Sequence, residues 1–363
     1  DYMVKILFFT HSNKLSGGER SLFDIIRWFN RSMDVSLITP GEGRLSEVIE
    51  REGISVYKIP PSPVFNIRRE RMGIRDFVNA GELGRIAGFI SSIIHREGFN
   101  VLYTNSQKAH VIGALVKLRT THVKLIWHFR DILEGKARLL MNALSFIPDT
   151  IISISKAVDR QFLRKTKVVY NAISLPDRIK PVKLPGKFKI GYVGQIARWK
   201  GQMNFIRVME GFKDDGVVGY ILGGAIFEEQ DYLELLEKTI IEKGLEKKIK
   251  ILGWRDNVYD YFSGFDLLIH MPEKLEPFGR VIVEAMALGI PVIAHDIGAI
   301  KEVVGDAGIL VNFKDYDAVR YHVKQLLTDM AFYETLREKG LKRYREVFRI
   351  ERLIKEVKGI IEG

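Results

Sequence analysis

The run Phe188-Lys189-Ile190-Gly191-Tyr192-Val193 leads into Gly194-Gln195-Ile196-Ala197-Arg198-Trp199-Lys200-Gly201, and an apolar-periodic stretch starts at Gln202. The first six residues read as a strand buried on both faces, the glycine-bounded segment as a loop, and the periodic stretch as a helix. The start of the chain repeats this order. Val4-Lys5-Ile6-Leu7-Phe8-Phe9 reads as a buried strand, a polar loop ends in Gly17-Gly18, and a helix is expected from about Glu19 to Phe29. Each segment opens a series of strands alternating with helices. Strands are expected at Val35–Thr39, Val56–Ile59, Val101–Thr104, Leu125–His128, Thr150–Ser153 and Val168–Tyr170 in the first half. In the second half they are expected at Gly219–Leu222, Ile249–Leu252, Leu267–His270, Pro291–Ala294 and Gly308–Val311. Such alternation builds a parallel sheet with helices on both faces, so the chain reads as α/β with two doubly wound, Rossmann-like domains.

Ser174–Gly186 holds Pro176, Pro181, Pro185 and Gly186 with little periodicity and reads as a linker. The expected division is an N-terminal domain over 1–173, a linker over 174–186, a C-terminal domain over 187–348 and a terminal amphipathic helix over 349–363. Two domains suit a length of 363 residues, which exceeds a single typical core. Hydrophobic residues at 46% and aromatics at 10% are those of a folded protein. No apolar run is long enough to span a bilayer, and no charged-then-apolar leader precedes the first strand. The absence of cysteine excludes a disulfide framework and fits a reducing cytoplasm. The formal charge of +11 is unevenly spread: residues 1–173 carry +10 and residues 174–363 carry +1. A basic first half suits an anionic acceptor or an anionic membrane surface, with Arg68, Arg69, Arg71 and Arg75 as the expected contact.

The richest stretch for chemistry is Glu276-Pro277-Phe278-Gly279-Arg280-Val281-Ile282-Val283-Glu284-Ala285-Met286-Ala287. One acid precedes a helix start and another lies about a turn and a half inside. The N–H groups freed at that start, with the positive end of the helix dipole, make an anion site. Carboxylates on either side accept hydrogen bonds from hydroxyls, as a sugar and a ribose flanking a pyrophosphate would supply. No G-x-G-x-x-G is present, which lowers the case for a nicotinamide dehydrogenase. Asp315-Tyr316-Asp317 spells D-x-D but sits just before a helix expected at Ala318–Leu327, where aspartate is a common cap, and no zinc spacing occurs; no metal site is assigned.

The Glu276–Glu284 segment resembles the E-x7-E motif of retaining GT-B glycosyltransferases of family 4. Gly289-Ile290-Pro291-Val292-Ile293-Ala294 and Gly298-Ala299-Ile300-Lys301-Glu302-Val303 are similar to the same family. The resemblance implies two domains facing across a cleft, acceptor in the first and nucleotide-sugar donor in the second, with the last helix crossing back onto the first. It implies that Lys200 neutralises the departing diphosphate. The family's arginine position is Gln195 here, and Arg198 is the nearby guanidinium that could replace it. Glu276 would hold the transferred sugar and Glu284 the ribose, while Phe278, Gly279 and Arg280 supply backbone amides. Gly17, Gly18 and Gly194 would approach the diphosphate, and Gly223 and Arg255 the nucleoside. His128, at a strand end, would bind a sugar hydroxyl near the reacting carbon. Glu19, Arg130, Arg68 and Arg69 fall on the acceptor side.

The expected activity is metal-independent retaining transfer of a sugar from a UDP- or GDP-linked donor to a sugar, lipid-linked or other anionic acceptor, without a cofactor and without nucleic acid. The expected location is the cytoplasm, at the inner face of the membrane. A GT-B nucleotide-sugar epimerase and a non-catalytic nucleotide-sugar-binding regulator are the alternatives.

Overall fold

The computed structural model describes residues 4–66, 80–212, 216–225 and 229–363. The arginines at 68, 69, 71 and 75 lie outside the described residues. The chain divides into two compact units, one of residues 1–172 and 350–363, the other of residues 173–349.

The first unit runs β1 (Lys5–Phe9), α1 (Gly17–Phe29), β2 (Asp34–Pro40), α2 (Arg44–Arg51) and β3 (Ser55–Ile59). It continues through α3 (Ala80–Glu97), β4 (Val101–Thr104), α4 (Gln107–Arg119), β5 (Lys124–Phe129), α5 (Gly135–Leu144), β6 (Thr150–Ser153), α6 (Lys156–Asp159) and β7 (Lys167–Val168). The second unit starts with β8 (Phe188–Val193), α7 (Gln202–Met209), β9 (Val217–Leu222), α8 (Gln230–Glu242) and β10 (Ile249–Gly253). Then come α9 (Val258–Phe262), β11 (Leu267–His270), α10 (Arg280–Ala287), β12 (Val292–His295), α11 (Ile300–Val304), β13 (Ile309–Val311), α12 (Tyr316–Thr328) and α13 (Met330–Arg343). The last helix, α14 (Ile350–Glu362), closes the chain.

All described strand pairs are parallel. The first sheet has the order β3-β2-β1-β4-β5-β6-β7 and the second β10-β9-β8-β11-β12-β13. Ile6 pairs with both Val35 and Val101, and Ile190 with both Gly219 and Leu267. Each sheet therefore reverses its winding direction once, between β1 and β4 and between β8 and β11. At such a switch point the loops after neighbouring strands diverge, leaving a crevice at the carboxyl ends of the strands. The loops carrying Gly17-Gly18, Lys200 and Glu276 all follow switch-point strands.

Sequence explains the layers. Apart from Lys5 and His270 at their ends, strands β1 and β11 are apolar, and they are buried on both sides, which only a sheet covered by helices permits. In the first unit Phe8, Leu22, Ile26 and Tyr103 meet Leu353, Ile354 and Val357 of α14 in one core, so the terminal helix belongs to this unit. Lys124 Nζ donates to the last-turn carbonyls of Ile360 and Ile361, and Arg352 donates to the Tyr170 carbonyl. The expected linker packs with the second unit: Asp260 accepts from Lys180 N–H and Val182 N–H, and the Tyr220 hydroxyl donates to the Pro185 carbonyl. Asp315 caps α12 by accepting from Ala318 N–H at 3.0 Å, the role its position suggested.

Candidate active site

In the second unit the site is built on the loops after β8 and β11. Residues Arg198–Lys200 form one turn of 3-10 helix, and Gly201 turns the chain at φ 82 into α7. A Cβ at Gly201 would stand 2.0 Å from the Met271 carbonyl oxygen, so only glycine lets the two loops touch. A Cβ at Gly298 would likewise meet the Glu276 carbonyl at 2.4 Å, and Ala299 N–H donates to that carbonyl. Asn204 on α7 donates to the Met271 carbonyl and to Glu273 Oε1, while Glu273 N–H donates to the Trp199 carbonyl. The strand-to-helix loop before α10 is thus fixed from both sides.

Three side chains converge there. Lys200 Nζ lies 2.9 Å from Glu276 Oε2, and His270 Nε2 lies 3.3 Å from the same oxygen. The lysine also sits 3.9 Å above the centre of the Trp199 ring. Burial pushes the Glu276 carboxyl up, but Lys200 and the His270 ring outweigh it and hold the group well below the usual carboxylate range. Burial keeps His270 neutral, against the pull of Glu276. Glu276 is buried, whereas Lys200 keeps one-fifth of its side chain exposed. The cation is the accessible half of the pair.

Glu284 is the fifth residue of α10. Its Oε1 accepts from Arg280 Nε at 2.9 Å and from the Tyr259 hydroxyl at 3.1 Å. Desolvation drives the Tyr259 hydroxyl far up, so it remains a donor. Phe278 is buried and packs edge-on against Phe348, and Gly279 precedes the helix in the left-handed region. Gly223 N–H donates to the Gly253 carbonyl, drawing the loops after β9 and β10 together; Arg255 stacks on Tyr261. Arg198 turns away from Lys200 and pairs with Asp231 of α8 at 2.6 Å, over the Tyr232 ring.

In the first unit the site is centred on a buried arginine. Arg130 Nε donates to Asn105 Oδ1 and one terminal nitrogen donates to Asn171 Oδ1, both at 2.6 Å. Its other terminal nitrogen lies 3.2 Å from His128 Nδ1, which the Tyr103 hydroxyl approaches at 2.5 Å. A guanidinium can only donate, so Nδ1 accepts and the His128 proton resides on Nε2. Burial first, then Arg130 and His110, hold the ring neutral. His128 is fully buried and its Nε2 has no hydrogen-bond partner among the described residues. Asn105 Nδ2 donates to the Gly18 carbonyl, tying α1 to the arginine. Glu19, buried beside Gly18, accepts from the Ser16 hydroxyl; burial raises its pKa against the pull of Ser16 and Arg130.

The structure thus unites Lys200 with Glu276, and His128 with Arg130 and Gly18. It adds Asn105, Asn171, His270 and Tyr259, which sequence reading passed over. Asn105 and His270 had a usable signal: each is a polar residue at the end of a switch-point strand.

The family model described as Glycosyl transferases group 1 matches residues 176–343, nearly the whole second unit. An uncharacterised glycosyltransferase of Methanocaldococcus jannaschii is 25% identical over 358 residues, covering 89% of this chain and 88% of its own. The crystal structure of HepE from Anabaena in complex with UDP and glucose superposes with a TM-score of 0.84 at 25% identity, covering 99% of this chain and all of that one. The fold is that of the GT-B glycosyltransferases. An uncharacterised 41.2 kDa protein in the cps region of Klebsiella pneumoniae is 28% identical over 245 residues, a match spanning 64% of this chain and 62% of the relative. Among its described residues no helix is long and apolar enough to cross a membrane.

Proposed function

We propose that this glycosyltransferase moves a sugar from a nucleotide diphosphate donor to an acceptor hydroxyl with retention of anomeric configuration and without a metal ion. The observation that carries the reading is the Lys200–Glu276–His270 cluster at the switch point of the second sheet. A buried carboxylate paired to a part-exposed lysine holds a cation beside a helix start where a diphosphate would bind. When the donor arrives, Lys200 Nζ turns to the phosphate oxygens and Glu276 takes the sugar hydroxyls. The bond between the anomeric carbon and the phosphate oxygen breaks while the acceptor oxygen bonds to that carbon from the same face. The departing phosphate oxygen takes the acceptor proton, so no side chain need act as base. Lys200 stabilises the charge that accumulates on the leaving group.

Glu284, oriented by Arg280 and Tyr259, offers its second oxygen to the ribose hydroxyls. His128 donates from Nε2 to a sugar hydroxyl, which gives its buried N–H an acceptor. Arg198 joins the phosphates by leaving Asp231. UDP is the nucleotide with most support, since HepE was crystallised with UDP and glucose. The basic first unit favours a lipid-linked or otherwise anionic acceptor, met in the cytoplasm at the inner face of the membrane.

The test is transfer from a panel of UDP- and GDP-sugars in the presence of EDTA, with the product anomer read by NMR. A product of the donor's anomeric configuration supports the reading. An inverted product, loss of activity in EDTA, or epimerised donor without transfer overturns it.

A further inference from the structure

The most exposed large apolar side chains of the described residues are Leu163 at 85%, Leu139 at 72% and Phe146 at 71%. All three belong to one short region, α5 with the residues just after it and the segment after α6. Leu139 and Phe146 are seven apart, so they lie on one side of the helix and its extension, with Ala143 between them. Leu163 is tied beside them, because its N–H donates to Asn142 Oδ1 of α5. Only Met141 and Asn142 of α5 are buried, although the helix is rich in leucine and alanine. A helix that exposes leucines needs a second apolar phase.

The charges around it say which. From Gly135 to Lys165 there are six basic residues and two acidic ones. Lys136, Arg138, Arg160 and Lys165 are exposed. Both acids are already engaged, Asp149 by Lys117 and the Leu125 N–H, Asp159 by the Thr166 hydroxyl. Protein interfaces are depleted in lysine, whereas apolar tips with a basic surround suit the boundary between anionic headgroups and acyl chains.

We infer that α5 and the Leu163 segment form the surface by which this glycosyltransferase docks on an anionic lipid bilayer. The surface is built rigidly into the acceptor side. Gln161, buried, accepts from Leu133 N–H and donates to the Asp131 carbonyl, and its own carbonyl accepts from Arg138 and Asn142. The docking helix and the loop that follows Arg130 therefore move as one piece. An acceptor headgroup held beside that loop would arrive from the plane in which Leu139, Phe146 and Leu163 are seated. The inference draws on the proposed acceptor class only for that last step; binding to vesicles needs neither donor nor acceptor.

The experiment is co-sedimentation of the full chain with vesicles of phosphatidylcholine alone or with one-third phosphatidylglycerol. The wild type is expected to bind the anionic vesicles at least tenfold more tightly than the neutral ones. L139E/L163E should reduce anionic binding at least tenfold at both low and high salt, while K136E/K165E should reduce it mainly at low salt. Turnover on a water-soluble acceptor should be unchanged in both variants, which separates a failed surface from a failed catalytic reading. Equal binding to both vesicle types, or binding unaffected by L139E/L163E, overturns the inference. So does a wild type that is dimeric in solution and becomes monomeric with L139E/L163E, since the face would then join two copies of the chain.

Discussion

In the second unit a lysine rests against a buried carboxylate with part of its length still in water; in the first an arginine is enclosed by two asparagines, a histidine and the chain around Gly18. Both lie at the switch point of a parallel sheet with the same reversal of winding, yet they hold positive charge in different ways. Among the described residues Lys200 has one ionic partner, and part of its side chain is exposed, so it can be handed to an arriving diphosphate. Arg130 is buried and donates to two asparagine oxygens and a ring nitrogen, so it organises its surroundings and stays put. One topology thus supports a cation that moves to a ligand and a cation that holds a wall.

The largest effect should come from Lys200→Ala. Turnover is expected to fall by about 10²–10³ with the folded state retained, measured by steady-state kinetics and circular dichroism. A fall of less than threefold would end the role given to the lysine. Arg130→Met should act on stability first. It leaves Asn105 and Asn171 without their donor and should cost about 2–4 kcal/mol in denaturant unfolding. If it proved neutral in stability but inactive, the contrast between the two cations would disappear.

Glu284→Ala should weaken donor binding by roughly tenfold to a hundredfold with a smaller change in turnover, read by calorimetry. Acid should destabilise both units. His110, held down to about 3 by burial, and His128, His270 and His295, all lowered by burial, bind fewer protons folded than unfolded. Their contribution is present above the unfolded histidine value near ~6.5 and is lost as pH falls below it. Glu276, lowered in the fold, adds to the loss below its ordinary range. A lower denaturant midpoint at pH 5 than at pH 7.5 is expected; a higher one would mean these rings are not held neutral. The smallest effect is assigned to Arg198→Ala, a several-fold drop in turnover with little stability change, since its pair with Asp231 is exposed and screened by water and salt.

Much of this was legible beforehand for identifiable reasons. Buried parallel strands need continuous apolar runs, so β1, β8 and β11 announced themselves. Asp315 was readable as a cap because the N–H it accepts from lies only three positions further on. Lys200 and Glu276 were readable because each sits in a local motif. Asn105, Asn171, His270 and Tyr259 were not, because a single polar residue has no meaning until its neighbours are known. Arg198 looked close to the lysine in sequence, but one turn of 3-10 helix rotated it toward α8.

By itself the sequence determined the alternation of strand and helix, the two-unit plan and the loops in which chemistry could sit, since these follow from hydrophobic period and glycine placement over short range. Only the tertiary structure decided that Lys200, Glu276 and His270 share one oxygen and that Arg130 fixes the proton of His128. In the first case Lys200 meets a carboxylate 76 residues away, and in the second the contact depends on the path of two loops. Strand order at a switch point, which brings the ends of distant strands side by side, is a property of the whole sheet.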